Sequence, residues 1–88
     1  MLSYHVKIKL EQIEMKKGEL YFIKIPNTNQ MFWIQEKYVR FHEPKNKAAN
    51  LQINTNTSFC VVDDTFKNIV VTETVSAKEL VDLLNGKI

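Results

Sequence analysis

The sequence predicts an α+β domain: about five or six antiparallel strands, forming a small sheet or partial barrel, with one C-terminal helix packed on the sheet. Three observations carry this expectation. Tyr4, Val6, Ile8 and Leu10 alternate with His5, Lys7, Lys9 and Glu11, the period of a half-buried strand. Residues 19–41 hold six of the nine aromatic residues, arranged around a Pro26-Asn27-Thr28-Asn29 turn, and read as one β-hairpin. Ser76-Ala77-Lys78-Glu79 is a capping box placed before an apolar helical stripe.

The first strand loses its phase at Gln12 and Ile13, where a bulge or bend would return a side chain to the interior. Met15-Lys16-Lys17-Gly18 reads as the turn into the hairpin, with Gly18 free to take positive φ. Along residues 19–25, Tyr21, Ile23 and Ile25 share one face, while Leu20, Phe22 and Lys24 share the other. Met31-Phe32-Trp33-Ile34 is apolar on both faces, which fits a central strand or one covered on both sides. Residues 42–50, polar and containing Pro44, read as a loop. Strands are expected at 51–54, 58–63 and 69–75, separated by turns at 54–57 and 63–65.

The closing helix has its signals in order. The Ser76 hydroxyl serves the Glu79 amide, Glu79 reaches back, and Val75 with Leu80 can form the hydrophobic staple. Ala77, Leu80, Val81 and Leu84 fall on one face, and Gly86 suits the C-terminal cap. Three turns are too few to hold alone in water, so the helix must dock on the sheet.

Between the hairpin and the loop, Ile34-Gln35-Glu36-Lys37-Tyr38-Val39 breaks the strand alternation. It resembles the aliphatic-Pro-x-x-Tyr-Val run before the last strand of SH3 domains, with Gln35 in place of proline. The likeness covers six residues, and the acidic aromatic motif of those domains is missing. It implies a local 3₁₀ turn followed by a further extended piece. A sheet that curled there would become an SH3- or OB-like partial barrel.

Composition bounds the rest. The 88 residues make one domain, which buries roughly 60–65% of the surface of its unfolded chain. An apolar fraction of 44% and a charged fraction of 25% are ordinary globular values. The net charge of +2 is too small to imply a nucleic-acid partner by itself, although residues 1–47 carry +4 and residues 48–88 carry −2. Cys60, the single cysteine, lies among Phe59, Val61 and Val62 and fits a buried strand thiol in a reducing compartment. His5, Lys7 and Lys9 interrupt any signal core, and apolar runs such as Met31 to Ile34 reach only four residues. A soluble cytoplasmic protein that engages no membrane is expected.

Lysine outnumbers arginine eleven to one, and asparagine and isoleucine occur eight times each. Codons for these residues are A/T-rich, an association that points to a phage, plasmid or integrative cassette of a low-GC bacterium.

Chemistry-bearing patterns are sparse. His5 and His42 read as solvated side chains, Asp63-Asp64 as a turn, and the two histidines with one cysteine have no zinc-like spacing. With only Gly18 and Gly86, no phosphate-binding loop can be built. Neither an enzyme nor a cofactor is expected.

The aromatic hairpin is the remaining candidate. A small sheet cannot bury both faces of every strand, so Phe22 and Trp33 are expected outside, beside Lys24, Lys37, Tyr38 and Arg40. As a protein-docking surface, this patch would serve a small accessory protein of a replication or nucleic-acid-processing enzyme, or an inhibitor of a host defence complex. As a stacking platform with neighbouring cations, it would bind single-stranded nucleic acid directly, with Lys7 and Lys9 adding phosphate contacts. A homodimer would cover the same surface with a second copy.

Overall fold

The computed structural model describes residues 2–41, 47–64 and 69–86. The strands are β1 (Ser3–Lys9), β2 (Ile13–Lys17), β3 (Leu20–Lys24), β4 (Gln30–Gln35), β5 (Val39–Phe41), β6 (Ala48–Asn54), β7 (Ser58–Asp64) and β8 (Ile69–Ser76). One helix, α1 (Ala77–Leu84), follows. The strands form two antiparallel sheets, ordered β1-β6-β5 and β2-β3-β4-β7-β8, with no closed barrel. The expected α+β class, strands followed by a docked helix, is what is found.

Eight strands replace the expected five or six for a physical reason. Two extended stretches each bend through a single 3₁₀ turn, at Leu10–Gln12 and Glu36–Tyr38, and continue in the other sheet. Each therefore counts twice. The first corner is fastened by the Leu10 amide donating to the Lys47 carbonyl at 3.0 Å and by the Lys9 amide donating to Gln12 Oε1 at 3.0 Å. At the second, the Glu36 amide donates to the Glu19 carbonyl at 2.7 Å. The 3₁₀ turn that the SH3-like stretch implied is this second corner.

Three expected boundaries move. Met15 to Lys17 belong to β2, and the turn is the two-residue loop Gly18-Glu19, with Gly18 at φ +60° as the hairpin's twist requires. Residues 48–50, expected as loop, begin β6, where Ala49 packs into the core. Residues 42–46 of that loop, including His42 and Pro44, and Thr65 lie outside the described residues. Asp63 and Asp64, expected as a turn, are the end of β7 because β8 pairs with them as Asp63↔Val70 and Asp64↔Ile69. In the hairpin turn, Asn27 takes φ +64° and the Thr28 hydroxyl donates to the Ile25 carbonyl at 2.8 Å.

The facing sides of the two sheets enclose one core. Val6 and Ile8 of β1 and Ala49, Leu51 and Ile53 of β6 meet Ile23, Phe32, Ile34, Phe59, Val61 and Val75 of the larger sheet. Phe32 and Phe59 cross edge to face, with ring centroids 6.1 Å apart. Helix α1 packs against β1, β6, β7 and β8 and drives Ala77 and Leu80 into this core. Its start is capped as expected: the Glu79 amide donates to Ser76 Oγ at 3.2 Å. The Glu79 carboxylate accepts from the Ser76 hydroxyl at 3.3 Å. At its end Gly86, at φ +75°, donates its amide to the Leu83 carbonyl at 3.2 Å. No described helix is long and apolar enough to cross a membrane.

Leu80 is wholly buried, so Leu80→Ala is expected to lower unfolding stability by about 2–5 kcal/mol, against about 1 kcal/mol for Ser76→Ala. Urea denaturation followed by circular dichroism measures both; a Leu80→Ala midpoint equal to wild type contradicts the docking of the helix.

Candidate binding surface

The larger sheet is incomplete at one seam. β3 pairs with β4 along its whole length, from Leu20↔Gln35 to Lys24↔Met31. β4 pairs with β7 only over Gln30↔Asp63, Met31↔Val62 and Phe32↔Val61. Beyond Phe32 and Val61 the strands part, because β4 must turn at Glu36–Tyr38 to enter the smaller sheet.

The alternation of antiparallel ladders tells which main-chain groups face this gap. The Ile25 amide bonds the Gln30 carbonyl and the Glu36 amide bonds the Glu19 carbonyl, so Ile34 and Phe32 direct their peptide groups to β3. Trp33 and Gln35 therefore direct theirs toward β7. By the register of Met31↔Val62, Cys60 and Ser58 direct theirs toward β4. The Phe32↔Val61 pair is closed by the Trp33 amide bonding the Cys60 carbonyl, and the Gln35 carbonyl serves the 3₁₀ turn as its N-cap. The groups left on the facing edges beyond the last pair are therefore the Trp33 carbonyl, the amides of Gln35 and Cys60, and Ser58.

The opening is a cleft of about 280 Å³. Trp33, Gln35 and Leu20 line one side, and Ser58, Cys60 and Thr57 the other. Tyr38, Gln52 and Asn54 close the end toward the smaller sheet, while the buried Ile34 and Phe59 contribute to the lining from the core side. No lining residue is charged. The wall is apolar and aromatic, with amides, hydroxyls and one thiol among the rings. Such a lining suits a neutral ligand surface with hydrogen-bonding capacity.

A second, basic depression of about 200 Å³ adjoins it, lined by His5, Lys37, Tyr38, Arg40, Asn50, Leu51 and Gln52. Tyr38 and Gln52 belong to both. Lys37 Nζ lies 5.2 Å from the Tyr38 ring centroid, a cation–π contact at the boundary between the two.

The expected contact residues divide into three groups. Trp33 and Tyr38 meet at the neutral cleft, and Lys37, Tyr38 and Arg40 meet at the basic depression. Phe22, expected outside, is only 5% exposed. It does point away from the main core, but it is packed with Met31 and Val62 among Met15, Leu20 and Trp33 in a second cluster on the outer face of the larger sheet. Large side chains on neighbouring strands cover one another there. Phe22 cannot stack on a ligand; it buttresses Trp33, with centroids 5.8 Å apart at 64°. Lys24 lies at the opposite end of β3 from the cleft, beside Glu11, Gln12 and Glu14.

Cys60 is corrected as well. Phe59 and Val61 point inward, so alternation puts the Cys60 thiol outward, where it is partly exposed in the cleft wall rather than buried. His5 is exposed, as expected. The amides Gln35, Gln52 and Asn54 were not anticipated as site residues. Their signal was the outward phase of strands whose inward phase is apolar, Gln52 and Asn54 alternating with Leu51 and Ile53.

Outside the cleft, Lys16 Nζ donates to Glu36 Oε2 at 2.8 Å, and this hydrogen bond, reinforced by the charge of Glu36, raises the lysine above its ordinary range. A raised lysine stabilises the fold below its ordinary pKa, and that contribution is lost as pH climbs through the raised value. Both groups are exposed, so solvent screening keeps the contribution small. No group of three or more potential metal-ligating side chains occurs among the described residues. Comparison with protein-family models, curated proteins and solved structures finds no match.

Cleft accessibility has a direct readout. Cys60 is expected to react with an aromatic disulfide reagent in native buffer, without denaturant. A thiol that becomes reactive only on unfolding would contradict the open seam.

Proposed function

We propose that this chain is a small non-catalytic accessory or adaptor protein of a mobile genetic element, docking on a larger replication or nucleic-acid-processing protein. The observation that carries this reading is the seam between β4 and β7: an uncharged, aromatic-walled cleft into which Trp33, Gln35, Ser58 and Cys60 direct main-chain hydrogen-bonding groups. An extended polypeptide segment supplies what such a seam lacks. Its backbone adds to the strand edge, and one of its apolar side chains enters between Trp33 and Tyr38. Trp, Tyr and Arg are the residues in which interface energy concentrates, and Trp33, Tyr38 and Arg40 stand along this stretch of surface.

The buttress beneath Trp33 supports the same reading. Phe22 and Met31 hold the indole in place before a partner arrives, which lowers the ordering cost of association. The assignment to a mobile element rests on the A/T-rich codon preference of the composition. A host defence enzyme is a partner of the same kind, bound through the same cleft.

Selection from a displayed random-peptide library against the immobilised protein tests the docking chemistry without knowledge of the partner. Enriched peptides are expected to share an apolar anchor residue and to quench Trp33 fluorescence. Trp33→Ala should weaken them by about thirtyfold or more, the effect of losing an interface anchor worth about 2 kcal/mol. Peptides that bind wild type and a folded Trp33→Ala variant equally would overturn the assignment.

A further inference from the structure

The fold sorts charge by sheet, and this goes beyond the docking cleft. β1, β5 and β6 contain no aspartate or glutamate, yet they carry Lys7, Lys9 and Arg40. Every described carboxylate belongs to the larger sheet, the helix or the connections, and Glu36, at the corner before β5, is held by Lys16. The +4 of the N-terminal half is therefore not spread evenly. The described acidic residues of that half lie outside its three strands.

The register arranges its outer face as a grid. Lys7, Asn50 and Arg40 form one straight cross-strand row, Lys7↔Asn50 on one side and Arg40↔Asn50 on the other. His5 and Gln52 form the next row, with Tyr38 and Lys37 beyond Gln52. Two lines of cations, on β1 and on β5 with its preceding turn, flank a central line of amides on β6. With strands spaced about 4.8 Å, the cation lines stand about 10 Å apart.

We propose that this face binds single-stranded nucleic acid. Lys7, Arg40 and Lys37 take the phosphates, Asn50 and Gln52 meet base edges, and a base stacks on the Tyr38 ring once Lys37 swings aside to a phosphate. Three features select a single strand. A flat three-stranded face offers no protruding helix or ribbon to enter a duplex groove. Asn and Gln side chains pair with base edges that only unpaired strands expose in full. A ring at the margin serves a base that is free to unstack. The positive field of the face, whose three strands carry no carboxylate, supplies the sequence-independent part of the attraction.

The experiment is fluorescence anisotropy of a labelled oligo-dT of about sixteen nucleotides, a length that spans such a site. Wild type should bind at low salt, with a slope of log K against log salt near −2, the release expected from about three phosphate contacts on a single strand. Lys7→Glu combined with Arg40→Glu should weaken binding at least tenfold. Lys17→Glu combined with Lys78→Glu makes the same change in net charge elsewhere on the surface and should weaken it less than threefold. Trp33→Ala, which removes the anchor of the neutral cleft, should leave the affinity within twofold, so the two surfaces succeed or fail separately. Equal loss in both charge-reversed pairs, or no binding at low salt, would overturn the proposal. Equal competition by the matching duplex would overturn the choice of single strands, and equal displacement by polyglutamate would identify the face as a dock for acidic protein segments instead.

Discussion

Two single-turn corners govern this molecule. At residues 10–12 and 36–38 an extended chain leaves one sheet and enters the other, and each corner is held by main-chain hydrogen bonds rather than by the core alone. Because β4 is committed to turn at Glu36, it cannot follow β7 beyond Phe32. The ladder ends early, the sheet opens, and a hydrophobic interior comes to lie behind a wall of polar and aromatic side chains. A barrel would have closed that seam and removed the unpaired edge. The open sandwich keeps it.

The aromatic residues acquire distinct tasks from this geometry. Phe32 and Phe59 pack against each other in the core. Phe22 and Met31 form a second layer on the outer face of the larger sheet, too small to be a core and just large enough to seat Trp33. Trp33 and Tyr38, partly exposed as Tyr4 and Tyr21 are, border the same cleft, while Phe41 is exposed and meets Tyr21 edge to face. A surplus of rings over core volume is thus resolved into packing beneath and partly exposed rings above. Charge is partitioned by the same corners, since the connections, the larger sheet and the helix carry the described carboxylates and the charged side chains of the smaller sheet are all basic.

Local chemistry was legible in the sequence wherever it was decided locally. The Ser76 cap, the alternation of β1, the Pro26–Asn29 turn and the 3₁₀ turn at Glu36 all follow from neighbouring residues. What could not be read were the consequences of long-range pairing. Ala48 to Asn50 look like loop because a short run of small and polar residues has no period, and they become strand because β1 and β5 pair with them. Phe22 looks exposed because it is out of phase with Ile23, but neighbouring strands bring Met15, Trp33 and Val62 over it. Tyr38, Arg40 and Trp33 were found as candidates by residue type alone. Their partners Gln52, Asn54 and Ser58 come from strands far along the chain, and no local pattern ties them to the hairpin.

The parted seam is the claim on which the binding surface stands, and amide hydrogen exchange read residue by residue tests it most directly. The amides of Gln35, Ser58 and Cys60 should exchange quickly, while Ile34, turned toward β3, and Phe59, turned toward β8, stay protected. Uniform slow exchange through both stretches would mean that β4 and β7 are zipped along their full length, leaving no cleft for a partner to enter.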